Sequence, residues 1–325
     1  MSYQPPYTLT DEAVARVADI GELLGRLSLQ TNQERAVHLR RINRIRTVTG
    51  SLAIEGNTLS EEQVTAILDG KRVIAPPREI QEAHNALATY EHLMDWDALQ
   101  TSDLLAAHRM MMLGLIDTAG MYRQRGVGVM SGRTVIHMAP PASQILRLME
   151  DLFHWIGRSE AHPLMVSSVF HFEFEFIHPF ADGNGRMGRL WQTLLLSRWQ
   201  PLFYDIPVES LVHANQADYY RALQAATAET DCAPFIHFML GVIHQALLSS
   251  ISDQVGDQVS DQVQSLLAVM GSGYLSTTEL MQKLAMTHRN TFRKNYLQPA
   301  LQLGLIEMRH PNSPRSPQQK YRKKG

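Results

Sequence analysis

Apolar residues recur three and four positions apart through most of the chain, the spacing of helices with one buried face. Thr10 precedes the first such run, TDEAVARVADIGELLGRL, as an N-cap with acids in the first turn. A basic run, RAVHLRRINRIRTVTGSLAIEG, stops at Gly56-Asn57, a C-cap pair. Ser60 and Gln63 then frame a capping box for the next helix, and helical runs continue over 78–94 and 101–114. GVGVMSGRTVIHM, residues 126–138, breaks the period: two β-leaning runs flank Ser131-Gly132, which predicts a hairpin. In PLMVSSVFHFEFEFI the alternation of HFEFEF suits a strand, but the longer spacing of Leu164, Val166, Val169, Phe170, Phe174 and Ile177 favours a buried helix. Helical spacing then carries on through RMGRLWQTLLLSRW, QADYYRALQAATAE and FIHFMLGVIHQALLSSI.

The pattern changes at 253–263, where DQV repeats every four residues and aligns Val255, Val259 and Val263 on one helical face. A linker helix is the simpler reading, a dimerisation seam the other. Beyond it, TTELMQKLA and HRNTFRKNYLQPALQLG read as two helices joined by a short turn, and LIEMRHPNSPRSPQQKYR as a strand, a loop and a strand. Helix-turn-helix plus wing fits that order. From Thr287 onward Glu307 is the only acid, against Arg289, Arg293, Lys294, Arg309, Arg315, Lys320, Arg322, Lys323 and Lys324. The chain is therefore expected to be mainly α with one hairpin. Its divisions are a helical region at 1–110, a core at 111–250, a linker helix at 251–264 and a small winged-helix-like domain at 265–325.

Composition narrows the function classes. A net charge of −2 over 325 residues hides the basic tail and gives no general drive toward nucleic acid. One cysteine, Cys232, excludes an intrachain disulfide framework, favours a reducing, cytoplasmic setting and stands near no evident base. The N-terminus has no signal-peptide pattern, and no uninterrupted apolar stretch is long enough to span a bilayer, so no membrane partner is expected. The fourteen histidines include no HExxH spacing. The methionines, Met110, Met111 and Met112 among them, read as core filler.

The chemistry concentrates in HPFADGNGRMGR, His178 to Arg189. Gly183, Gly185 and Gly188 spell the dinucleotide pattern G-x-G-x-x-G, but that needs a strand running directly into the first glycine, and HPFAD intervenes. A loop between two helices accounts for more of the residues. The N-terminus of the second helix offers free N–H groups to an anion, and Gly183 and Gly185 allow close approach. Arg186 and Arg189 present planar forks on one helix. Asp182 is a hard ligand suited to magnesium, and His178 is the group that can act as a base near neutrality. Together they describe transfer from a nucleoside triphosphate onto a hydroxyl.

HPFADGNGRMGR resembles the Fic motif, H-x-F-x-[DE]-G-N-G-R-x-x-R, without a mismatch. AGMYRQRGVGVM resembles the segment entering the family's β-hairpin flap, HMAPP its exit, and YYRAL the nucleobase-side helix; the resemblance spans roughly residues 40–245. It implies a helical fold and adenylylation: AMP moves from ATP to a Ser, Thr or Tyr hydroxyl of a protein, this chain itself included, and pyrophosphate leaves. The resemblance makes His178 the base, Phe180 a loop anchor, Asp182 the Mg²⁺ ligand, and Gly183, Asn184 and Gly185 the anion hole. Arg186 and Arg189 hold outer phosphates, with Met187 and Gly188 between them. Val127, Gly128, Val129 and Met130 fall in the flap, which pins the target as an added strand, and Tyr219 and Tyr220 lie beside the base. Thr227 departs from the asparagine that some relatives carry, which weakens the case for ATP over other nucleotides. Gly185 stands where the phosphotransferring Doc-like branch carries lysine.

SLAIEGN, residues 51–57, resembles the family's inhibitory motif [ST]-x-x-x-E-[GN]. Ser51 and Glu55 share a helical face, and the resemblance implies that Glu55 pairs with Arg189 and holds the enzyme off. In some relatives the same glutamate serves AMP removal, and both roles stay open here. A reading of a different class is a DNA-binding regulator acting through Arg289, Asn290, Arg293 and Lys294 on the second C-terminal helix. A homo-oligomer that regulates the brake is a further open partner.

Overall fold

Helices form where the apolar spacing places them. The structure, a computed structural model, describes residues 3–28, 33–126, 128–131, 134–271, 273–302, 305–311, 316 and 319–323. Helices α1 (Asp11–Ser28), α2 (Gln33–Ile54), α3 (Glu61–Leu68), α4 (Pro77–Glu91) and α5 (Thr101–Met111) precede a hairpin of β1 (Gly128–Ser131) and β2 (Thr134–Met138). Then come α6 (Ile145–Arg158), α7 (Pro163–Ile177), α8 (Asn184–Trp199), α9 (Val208–Ala214), α10 (Gln216–Glu229) and α11 (Ala233–Val269). The backbone divides into two compact units, Met1–Leu248 and Ser249–Gly325.

The first unit is built around α7 and α8. HFEFEF is helical, and α7 is buried from Leu164 through Phe174 and again at Ile177. A helix apolar all round belongs in a core. Helix α8 is buried along nearly its whole length, with Trp191 fully enclosed and its indole N–H donating to the Ala98 carbonyl at 2.9 Å. Local signals set the boundaries as expected. Thr10 accepts the Ala13 N–H at 3.2 Å, the Ser60/Gln63 capping box closes α3, and Gly56 leaves α2 with φ 89°. The hairpin register runs from Gly128↔Met138 to Ser131↔Thr134, with a bulge between Val129 and Met130. Val127 and Gly132 lie outside the described residues.

Helix α2 crosses α9 closely because Gly50 has no side chain. A Cβ there would lie 2.7 Å from the Ser210 backbone and 2.8 Å from the Glu209 carbonyl carbon. Ser210 Oγ donates to the Arg46 carbonyl at 2.8 Å and Asn43 to the Asp205 carbonyl at 2.9 Å, fixing the crossing. Gly50→Ala is therefore expected to lower unfolding free energy by about 1–3 kcal/mol, the usual cost of overpacking, read by urea titration. An unchanged midpoint would show that α2 is free to shift away.

One segment escaped the search for uninterrupted apolar runs. Among the described residues, Ala233–Ser252 is a helix long and apolar enough to cross a membrane by length and composition. Polar residues such as His237 and His244 interrupt the run without lowering its mean hydropathy below that of a span. Phe235, Ile236, Ile243, Ala246 and Leu247 on it are fully buried, as in a core helix.

In the second unit β3 (Leu275–Ser276), β4 (Ile306–Met308) and β5 (Lys320–Lys323) form an antiparallel sheet in the order β3-β5-β4. The sequence reading anticipated β4 and β5, while β3 is too short to leave a pattern. Helix α12 (Thr277–Lys283) starts from a Ser276/Glu279 capping box. Next, α13 (Arg289–Phe292), a π-helical turn over Arg293–Leu297 and α14 (Gln298–Gln302) run on without a break. Leu266, Leu280, Phe292, Leu297, Ile306 and Tyr321 make the core, joined by Val263 from the DQV repeat; the side chains of Val255 and Val259 lie outside the described residues. Arg289, Asn290, Arg293 and Lys294 are exposed.

Candidate active site

The stretch from His178 to Asp182 joins α7 to α8, as the helix–loop–helix reading requires. His178 ends α7 in the left-handed region, φ 49° and ψ 62°, and its N–H still bonds the Phe174 carbonyl at 2.9 Å. A non-glycine residue there is strained, so the surroundings must hold it. Arg123 does much of that. Buried to 5% exposure, it donates from Nε to the His178 carbonyl at 2.7 Å and from Nη2 to the Ile177 carbonyl at 3.2 Å. The same guanidinium reaches the Arg125 and Pro140 carbonyls, each at 2.7 Å, on the two sides of the hairpin. One side chain thus ties both roots of the hairpin to the end of α7.

The rest of the loop is pinned from below. Phe180 is fully buried and stacks on His108 of α5, centroids 3.6 Å apart and 7° from parallel. His108 Nδ1 accepts the Gly120 N–H at 2.8 Å, so Nε2 carries the proton and donates to the Asp182 carbonyl at 3.0 Å; burial holds the imidazole down to about 4. The Asn184 side chain grips the Phe180 backbone twice, accepting its N–H and donating to its carbonyl, both at 2.9 Å. Its amide group is therefore a clamp on the loop, and what Asn184 can offer an anion is its backbone N–H. Gly183 has φ 85°, and a Cβ on it would lie 2.7 Å from Met112 Sδ.

Around the N-terminus of α8 the charged groups converge. Asp182 Oδ1 accepts from the Gly183 N–H at 2.6 Å and from Arg186 at 3.3 Å, and its Oδ2 lies 3.5 Å from Arg78 of α4. Arg186, 4% exposed, also pairs with Glu82 of α4 at 3.7 Å. Its buried Nε has no hydrogen-bond partner among the described residues. Arg189, 2% exposed, donates to Glu55 Oε1 at 2.7 Å, to Ser51 Oγ at 3.1 Å and to the Ser51 carbonyl at 3.0 Å. Burial works against its charge, but the Glu55 carboxylate more than offsets that and holds the guanidinium well above its ordinary range. Gly185 lies directly beneath Glu55, whose Oε1 a Cβ on Gly185 would meet.

Family models, sequence relatives and solved structures match this chain. The Fic/DOC family model matches residues 98–196, and a model for the C-terminal domain of the Fic-like filamentation induced by cAMP protein matches 261–323. A crystal structure of a Fic family protein from Desulfovibrio desulfuricans G20 is 54% identical, with 99% of each chain covered and a TM-score of 0.76. The chain belongs to the Fic family. Among its Fic relatives, the protein adenylyltransferase Fic of Aedes aegypti is 30% identical over 217 residues, 62% of this chain and 41% of that protein. The protein adenylyltransferase fic-1 of Caenorhabditis elegans is 31% identical over 209 residues, 58% of this chain and 37% of that one. The chain thus spans about two fifths of the length of these Fic relatives. A solved Fic-1 from C. elegans, 22% identical with a TM-score of 0.64 over 75% of this chain and 73% of that one, shares the fold.

The Fic motif residues expected to act together are together, and Ser51 and Glu55 reach Arg189 across a sequence separation of well over a hundred residues. Tyr219 of YYRAL is fully buried, its OH 3.1 Å from His171 Nε2, while Tyr220 is half-buried. Thr227 turns its hydroxyl back to the Leu223 carbonyl at 2.9 Å. Gln216, at the start of α10, donates to the Ile54 carbonyl at 2.8 Å and so caps α2 just before Glu55. Of the flap residues, Gly128, Val129 and Met130 lie on β1. Sequence reasoning missed Arg78, Glu82, His108, Arg123 and Glu175.

His171 supplies a pH test of this core. Its Nδ1 lies 2.6 Å from Gln192 Oε1, and burial pushes the imidazole from its ordinary 6.5 down to about 3. The folded state resists a proton that the unfolded chain accepts below 6.5, so stability falls with pH from there toward 3. At pH 4 the loss from this one group is about 3 kcal/mol. The buried carboxyls Glu173 and Glu209, both held above their ordinary range, act in the opposite sense. His171→Asn should therefore show a smaller drop in melting temperature between pH 7 and pH 4 than the parent. Parallel curves would mean that His171 is protonated in the folded state.

Proposed function

We propose that this Fic protein transfers AMP from ATP to a Ser, Thr or Tyr hydroxyl of a protein, and that Glu55 restrains it. The observation that carries the reading is the convergence at the N-terminus of α8. A base at the loop, free N–H groups, and two buried guanidinium groups on one helix stand around one place. In this reading His178 takes the proton from the target hydroxyl as its oxygen bonds the α-phosphorus. The α-phosphorus–oxygen bond to the β-phosphate breaks, and pyrophosphate leaves. The α8 N–H groups and Arg186 stabilise the phosphate charge. Asp182 suits magnesium, since a half-exposed carboxylate can give one hard oxygen while phosphates give others; the ion would neutralise phosphate charge there. In this reading Tyr220 and buried Tyr219 would lie beside the nucleobase. The Glu55–Arg189 pair supports the restraint, because it occupies a guanidinium that an outer phosphate would need.

The test uses Glu55→Gly with ATP labelled at either the α- or the γ-phosphate, magnesium present and cell extract as a source of targets. Label should reach protein from the α position only and disappear in Glu55→Gly/His178→Asn. Label from the γ position instead would replace AMP transfer with phosphotransfer.

A second reading rests on the second unit. Arg289, Asn290, Arg293 and Lys294 stand exposed on one helical run, as a groove-reading helix requires. Binding of the full chain to duplex DNA, weakening steeply with salt and reduced by Arg293→Ala, would support it.

A further inference from the structure

Helix α7 holds two acids among its buried apolar residues, Glu173 and Glu175. A carboxylate placed there costs stability unless something answers it. Glu173 is answered by the Tyr3 hydroxyl at 2.7 Å and by Cys232. Glu175 is not explained that way. Its Oε2 lies 3.9 Å from His178 Nδ1, one helical turn on, and its buried Oε1 has no hydrogen-bond partner among the described residues. Gly188 of α8 makes the room, since a Cβ there would lie 3.0 Å from that oxygen.

We propose that Glu175 is the positioning residue of His178, holding the imidazole in one tautomer and balancing its charge when it takes the proton of the target hydroxyl. The proposal rests on the AMP-transfer reading. His178 Nδ1 is buried and is the ring nitrogen that faces Glu175. An Nδ1–H directed at Glu175 leaves the Nε2 lone pair available, and a carboxylate on the far side favours the imidazolium once formed. A contact of 3.9 Å is loose for the neutral ring and shortens when both partners are charged.

The ionisation of Glu175 is set by its neighbours. Burial pushes its carboxyl up to about 8, the Arg189 guanidinium pulls it down, and the Glu55 carboxylate pushes it up. His178 faces it from the end of its own helix, Arg189 from α8, Glu55 from the turn after α2, and Tyr219 and Tyr220 from α10. Removing Glu55 takes away the like charge and leaves Arg189, so in Glu55→Gly the carboxyl ionises more readily. Transfer in that variant should rise with pH in two steps belonging to the coupled pair.

The experiment adds Glu175→Gln and Glu175→Asp to Glu55→Gly. It measures AMP transfer against pH and follows the His178 ring by NMR as it titrates without nucleotide. Glu175→Gln should lower kcat by about tenfold or more, leave KM for ATP nearly unchanged, erase one pH step and shift the His178 titration downward. Glu175→Asp should restore part of both. An unmoved His178 titration in a folded Glu175→Gln protein overturns the proposal. Because the NMR titration needs no turnover, it decides the point even if Glu55→Gly transfers no AMP, a result that would overturn the transfer reading itself.

Discussion

Glu55→Gly is expected to raise the rate of AMP transfer by about 10- to 100-fold. The figure follows from the contact it removes. A charge-assisted hydrogen bond contributes about 1.5–3 kcal/mol, and each 1.4 kcal/mol is roughly tenfold in an equilibrium. The Glu55–Arg189 bond is 2.7 Å long, and the glutamate side chain is one-third exposed, so the lower half of the range is the better expectation. Ser51 still holds Arg189 from Oγ and from its carbonyl, which keeps the guanidinium oriented when the carboxylate is gone. Ser51→Ala should therefore activate less than Glu55→Gly. The measurement is initial incorporation of α-labelled ATP at equal protein and nucleotide. Equal rates for parent and Glu55→Gly would show that the pair is structural and restrains nothing.

Arg123→Met is expected to cost about 3 kcal/mol of stability or more and to abolish transfer. The side chain makes its hydrogen bonds to the carbonyls of Ile177, His178, Arg125 and Pro140. A methionine fills the space and donates nothing. Each buried carbonyl left without a donor costs about 1–3 kcal/mol, less where water enters. Two of these carbonyls belong to the end of α7, where His178 is strained, so the strained backbone is expected to relax. Arg123→Lys has a donor but no planar fork and should fall between parent and Arg123→Met. Denaturant titration gives the first quantity and label incorporation in the Glu55→Gly background the second. A stable Arg123→Met protein with full transfer would mean that the hairpin and the loop hold without their shared arginine.

The motif loop was legible because its chemistry is local: a base, an acid, glycines and two arginines within one short run, flanked by helical spacing. The Glu55–Arg189 contact was legible through resemblance alone, since the two residues are far apart in sequence and Ser-x-x-x-Glu is a common spacing. His108 and Arg123 left no readable pattern, because each acts by donating to or accepting from backbone groups of a distant segment. Glu175 did leave a sign, an acid in a helix otherwise apolar on every face, which alternation with phenylalanine disguised as a strand. Thr10, Ser60 and Gly56 were readable for the opposite reason, as capping is settled within a few residues. Asn184 was assigned by its motif position to the phosphate, while its side chain is spent on the loop itself.

The backbone of His178 has a consequence for which residues its position can accept. At φ 49° and ψ 62° asparagine, aspartate and glycine fit with little strain, and valine, isoleucine and threonine do not. Selection at this site acts on two properties at once, the ring that carries a proton and a conformation few residues share. Descendants that keep the shape but lose the reaction should drift toward asparagine or glycine there. An alanine at this position confounds lost chemistry with a displaced loop, which makes His178→Asn the cleaner inactive protein.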